Sequence, residues 1–86
     1  MAFEIVLKPS AQRDLDSLPG KEVQRIASRI AHLADDPRPF GIQKLASENA
    51  YRIRSGHYRV LFEIDDRNKK VLVYRIKHRK EAYRPT

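Results

Sequence analysis

In the runs Ala50 to Ser55 and Tyr58 to Asp65, and again from Tyr74 to Lys77, apolar and charged side chains largely alternate, and this period of two constrains the fold more than any other feature of the chain. Successive side chains of a strand point to opposite faces of its sheet. A run such as Tyr58-Arg59-Val60-Leu61-Phe62-Glu63-Ile64-Asp65 therefore reads as a strand with one buried and one wet face. Three such runs follow one another, Ala50 to Ser55, Tyr58 to Asp65 and Lys70 to Lys77. Gly56 and the stretch Asp65-Asp66-Arg67-Asn68 supply the turns between them.

The first half of the chain has the other period. After a short β-forming run, Phe3 to Leu7, Pro9-Ser10 opens a helix with Ser10 as its expected N-cap. Ala11, Leu15 and Leu18 form one apolar stripe, and Pro19-Gly20 ends it. A second helix is expected from about Lys21 to Ala34. Val23, Ile26, Ala27, Ile30, Leu33 and Ala34 make its apolar face, and Glu22, Gln24, Arg25 and Arg29 turn to water. Asp35-Asp36-Pro37-Arg38-Pro39 starts a loop that reaches about Asn49, with a short extended piece near Gln43-Lys44-Leu45. The tail from His78 to Arg84 reads as one helical turn. The order is β-α-α-β-β-β(-α). It predicts an α+β domain over residues 1–86, with the helical hairpin packed on one face of a small, mostly antiparallel sheet. The opposite face is left open.

That open face is expected to be basic. Residues 1–49 hold seven Lys/Arg and seven Asp/Glu, whereas residues 50–86 hold eleven and four, so the whole net charge of +7 (11 − 4) lies in the second half. Alternation sorts it further. Tyr51 and Ile53, the set Tyr58, Val60, Phe62 and Ile64, and the set Leu72, Tyr74 and Ile76 should face the helices. Arg52, Arg54, Arg59, Arg75 and Lys77 should then share the open face, over a floor of Leu61, Val71 and Val73. Five cations beside only Glu63 and Asp65 repel one another, and a polyphosphate ligand relieves the repulsion.

The residue inventory excludes much else. With no cysteine there is neither disulfide nor thiolate chemistry. No apolar run approaches the roughly 20 residues of a membrane span, and the first residues do not read as a secretory signal, so a cytoplasmic protein without membrane contact is expected. Histidines and acids show no metal-ligand spacing, the glycines at 20, 41 and 56 form no phosphate loop, and no cofactor is expected. Cleavage of RNA remains open to such a chain, because the substrate's own 2′-hydroxyl is the nucleophile and clamped arginines stabilise the phosphate. His78, at the end of the last strand beside Arg79, is the candidate acid or base, since an imidazole can both take and give a proton. His57 and His32 read as structural or solvated. Tyr83 is a candidate for stacking on a base.

At these residues the chain resembles the RelE/ParE toxin superfamily. PSAQRDLDSLP, the helix ending in DDPRP, YRIRSGHYRVLFEID and VLVYRIKHRKEAYR carry the likeness, the last two most specifically. The resemblance implies a toxin with an antitoxin partner. In the RelE branch it also implies an endoribonuclease (an mRNA interferase) that cuts mRNA in the ribosomal A site. It implies that Arg52 and Arg54 bind the RNA backbone and help activate the 2′-hydroxyl, that Arg59 stabilises the pentacoordinate phosphate, that Arg79 serves the leaving group and that Tyr83 orients a base. Arg75 and Lys77 would add RNA contacts. The best-known RelE-branch toxin has lysine where Arg52 and Arg54 stand; an arginine keeps its proton and is a poor base, which moves that role to His78. A ParE-like inhibitor of DNA gyrase, or a non-catalytic nucleic-acid-binding module, would share the fold and cut nothing.

Overall fold

The computed structural model describes residues 2–46 and 49–82, with Glu81 and Ala82 described by their backbone alone. The elements are β1 (Glu4–Leu7), α1 (Pro9–Asp16), α2 (Gly20–His32), β2 (Gln43–Lys44), β3 (Ala50–Ser55), β4 (Tyr58–Asp65), β5 (Lys70–His78) and α3 (Arg79–Ala82). They form one five-stranded sheet in the order β1-β5-β4-β3-β2. Every pairing is antiparallel except that of β1, which runs parallel to β5 at the sheet edge. This is the expected α+β architecture, with α1 and α2 on one face of the sheet.

Pro9 starts α1, its fixed φ suiting the first helical position. The helix therefore begins before Ser10, and the expected Ser10 cap does not form. Its hydroxyl instead donates to the Tyr74 carbonyl at 2.6 Å. The buried stripe of α2 is also narrower than expected. Ile26 and Ile30 are buried and Val23 packs against the core, but Ala27 lies outside the stripe and is exposed. Together with Ala11, Leu15 and Leu33 they cover Ile53, Val60, Phe62, Ile64 and the core side chains of β5. Between β3 and β4 the loop is only Gly56-His57. Gly56 adopts φ +61, the left-handed region that favours glycine in a two-residue hairpin loop.

One irregularity decides which side chains of β5 reach the open face. Leu61 pairs with Arg75 and Phe62 with Val73, which leaves Tyr74 as an extra residue in β5. This β-bulge shifts the alternation by one. Before it, Val71 and Val73 point into the core and are 0% exposed. After it, Ile76 does. The expected inward set Leu72, Tyr74 and Ile76 is therefore correct only at Ile76. The expected floor of Leu61, Val71 and Val73 is replaced by Val6, Leu61, Leu72 and Tyr74, all half-buried. The bulge follows from burial. Each fully buried valine is worth about 1.5–3 kcal/mol over an exposed one, and the extra residue lets both valines be buried while Arg75 and Lys77 stay wet.

Candidate functional site

Register places five cations on one face. Arg52 and Arg54 share a side of β3, Arg54 pairs directly with Arg59 of β4, Arg59 pairs with Lys77 of β5, and Leu61 pairs with both Arg52 and Arg75. Like charges directly opposite on neighbouring strands are destabilising. The Arg54–Arg59 pair is thus a local cost that the core beneath, Ile53 against Val60, must offset.

The arginines open onto two adjoining cavities. One, of about 300 Å³, is lined by Arg29, Gly41, Gln43, Arg52, Ile53, Arg54 and Arg59. The other, of about 390 Å³, is lined by Arg54, Gly56, Arg59, Arg79 and Lys80. Arg54 and Arg59 belong to both. Arg52 is oriented by its Nε, which donates to Gln43 Oε1 at 2.6 Å. Arg79 is fixed at the mouth of the second cavity because its backbone N–H donates to the His57 carbonyl at 2.7 Å. Arg59 was expected to be exposed, but only 6% of it is accessible. The burial takes in the whole side chain, and its Nη1 donates to the Tyr58 carbonyl at 3.4 Å. A guanidinium held this way is preorganised and partly desolvated, which strengthens its pull on an anion.

Arg29 joins the cluster from outside the sheet. The helical pattern turns it to water, yet in the fold it is half-buried, lines the first cavity, and its Nε donates to the Arg54 carbonyl at 3.3 Å. The only sequence signal was its place on the flank of the α2 stripe, three residues from Ile26 and one from Ile30. Gln43 and Lys80 were likewise not singled out.

Two of the expected site residues do not join the cluster. Arg75 is on the predicted face but is claimed by Asp14 of α1, with Nε to Oδ2 at 2.8 Å. The same Asp14 oxygen accepts the Ile76 N–H at 2.9 Å. β1 ends at Leu7, so β5 has a bare edge beyond Val73, and Asp14 covers it. Asp14 is therefore an acid beside the cations that the face reading did not include. His78 pairs with Tyr58 and shares the helix-facing side. Its ring stands edge-on to Tyr58 at 5.3 Å and stacks near His57 at 6.2 Å, and its Nδ1 accepts the Lys80 N–H at 3.3 Å. His78 is thus on the opposite face of the sheet from Arg52, Arg54 and Arg59, because the bulge at Tyr74 sets the parity of everything after it. Tyr83 lies outside the described residues.

Two acids, Asp65 and Asp66, lie where β4 turns toward β5. Asp66 holds Arg38 through two hydrogen bonds of 3.0 and 2.8 Å. That pairing lowers the Asp66 carboxyl below its usual range and makes Arg38 still harder to deprotonate. Asn68 donates to both oxygens of Asp65 at 3.0 and 2.8 Å and lowers that carboxyl in the same way. No group of three or more histidines and acids among the described residues is placed to hold a metal ion. No helix among them is long and apolar enough to cross a membrane.

A family model described as the ParE toxin of type II toxin–antitoxin systems, parDE, matches residues 5–83. Toxin RelG of Mycobacterium tuberculosis is 31% identical over 87 residues, which is 98% of this chain and 99% of the relative. A putative RelE toxin of Methanocaldococcus jannaschii is 30% identical over 90 residues, 98% of each. The fold is similar to that of an archaeal RelE–RelB complex from Pyrococcus horikoshii, at a TM-score of 0.82 and 26% identity over 92% of this chain and 97% of the other. A RelBE toxin–antitoxin complex from Mycobacterium tuberculosis is similar at a TM-score of 0.81 and 26% identity, over 91% and 99%.

Proposed function

The chain belongs to the RelE/ParE family of toxins from type II toxin–antitoxin systems, and from that premise we propose that it is an endoribonuclease that cuts mRNA in the ribosomal A site without a metal ion. The observation that carries the reading is the pair of cavities sharing Arg54 and Arg59. Successive phosphates of an RNA strand fit two adjoining cationic cavities. The scissile phosphate lies over the shared wall, with Arg52 and Arg29 on one side and Arg79 on the other.

The chemistry follows from charge. The 2′-oxygen of the nucleotide attacks the adjacent phosphorus, the bond from phosphorus to the 5′-oxygen breaks, and the products are a 2′,3′-cyclic phosphate and a 5′-hydroxyl. The 2′-hydroxyl loses a proton and the departing 5′-oxygen gains one. Negative charge rises on the phosphate in between, where Arg59 is aimed. Arg52 and Arg54 hold the backbone in line, and Arg79 faces the leaving oxygen. Lys77, opposite Arg59, adds to the field, whereas Arg75 is committed to Asp14. Guanidiniums act here by charge, since they do not give up protons near neutrality. Tyr83 is proposed to orient a base, as the family resemblance implies.

The partner is a cognate antitoxin that covers the open face. An acidic segment with interspersed apolar residues matches both the arginines and the floor of Val6, Leu61, Leu72 and Tyr74. In a complex that leaves Arg52, Arg54 and Arg59 uncontacted, this assignment is wrong. A second reading, inhibition of DNA gyrase without cleavage, is favoured by the parDE description of the matching family model. Primer extension on mRNA after brief expression in cells separates them. Cuts in phase with codons support the nuclease and its ribosome dependence. Intact mRNA with supercoiling activity lost supports the gyrase inhibitor.

A further inference from the structure

Among the described residues one large apolar side chain is left wholly in water, that of Phe40, at 101% exposure. Single exposed hydrophobics are ordinary, but this one is held out by structure on both sides. Arg38 ties the loop to Asp66 through two hydrogen bonds, and its guanidinium lies 5.5 Å above the Tyr51 ring. On the other side Ile42 packs against the core. The Ile42 N–H donates to the Pro39 carbonyl at 3.1 Å and closes the turn Pro39-Phe40-Gly41-Ile42. Gly41 at φ +89 takes the left-handed third position of a type II turn, which leaves Phe40 at its apex. Gly41, the next residue, forms part of the wall of the first arginine cavity, with Gln43, Arg52, Arg54 and Arg59.

We propose that Phe40 is a stacking platform for a nucleobase of single-stranded RNA whose phosphate occupies the adjoining arginine cavity. The inference rests on the RNA reading of that cavity and extends it by a subsite. A cationic groove that follows the backbone, next to an aromatic ring on which a base stacks, is how unpaired nucleic acid is held. A phenyl ring has no hydrogen-bonding group, so it reads no sequence by base edges. Any preference comes from stacking strength, with purines ahead of pyrimidines. The anchored turn also means that little loop entropy is lost when the base arrives.

The chain has no tryptophan, so Phe40→Trp installs a single fluorescent reporter. The probe is a short 2′-O-methylated single-stranded RNA, which binds but cannot be cut. Phe40→Trp should bind it as the wild type does, with its emission quenched. Phe40→Ala and Phe40→Leu should lose about 5- to 150-fold in affinity, the range for one stacked base. All three should melt like the wild type. Affinity unchanged in Phe40→Ala, or fully restored by Phe40→Leu, overturns the platform. So does a Phe40→Ala protein that keeps RNA and loses the antitoxin, which would make Phe40 a protein contact. Arg52→Ala tells the two readings apart. RNA affinity lost there but kept in Phe40→Ala overturns the platform alone, and affinity indifferent to both overturns the RNA reading with it.

Discussion

Removing the charge of Arg59 while keeping its bulk should separate catalysis from folding. Arg59 pairs with Arg54 and Lys77, lines both cavities and is 6% exposed. Its two contributions have different chemical origins. The guanidinium acts on the phosphate, and a preorganised donor of this kind is worth about 2.7–4 kcal/mol in the transition state, or about 10²–10³ in rate. The stem is buried apolar surface. Truncation to alanine removes two methylenes, a loss of about 1.6 kcal/mol at about 0.8 kcal/mol each. For a domain of this size that lowers Tm by about 6–13 °C, at about 4–8 °C per kcal/mol. Arg59→Met keeps the stem. Both variants should therefore lose single-turnover cleavage by about 10²–10³, and only Arg59→Ala should melt early. Val60→Ala, next along the strand and 0% exposed, should do the reverse, melting early and cutting normally once folded. An Arg59→Met protein that cuts at the wild-type rate would show that no phosphate meets this residue and would remove the case for the shared wall.

Asp14→Ala breaks the ion pair to Arg75 and uncaps the Ile76 N–H; thermal melts should show a loss of about 1–3 kcal/mol, with RNA cleavage by the folded protein within a few-fold of normal. His78→Gln should slow cleavage less than about tenfold, since the imidazole faces the helices; a loss comparable to a missing acid–base group, about 10²–10⁴, would return the base role to His78. Tyr74 is held neutral beyond the usual phenol range, first by burial and then by the charge of Glu63. A group whose folded pKa is raised stabilises the fold below its unfolded pKa and loses that contribution as pH rises through the folded one. Stability should therefore fall as pH climbs above about 10, the ordinary tyrosine value, and Tyr74→Phe should flatten that limb in melts followed from neutral to alkaline pH.

The order of the elements, the two apolar helix stripes and the basic side of the sheet were legible in the sequence because each is a local property. Period two in Ala50 to Asp65 states which residues of β3 and β4 share a face, and pairing those strands through a two-residue loop brings Arg52, Arg54 and Arg59 together with no further information. β5 was legible only in its second half. Val71-Leu72-Val73-Tyr74 is apolar on both parities, so alternation there selects no face. The choice was made by pairing with β4 and by the room beneath the helices, which bury two valines at the expense of one bulged residue. That bulge is a property of the sheet, and it put Leu72 and Tyr74 on the open floor and His78 against the helices. Tertiary contacts decided the rest. The free edge of β5 beyond β1 drew in Asp14 and with it Arg75, and the packing of α2 across β3 brought Arg29 to the Arg54 carbonyl. Composition fixes how many charges a chain carries and local pattern which side of a strand they take. Which of them meet one another depends on distances between elements remote in the chain, and only the folded structure sets those.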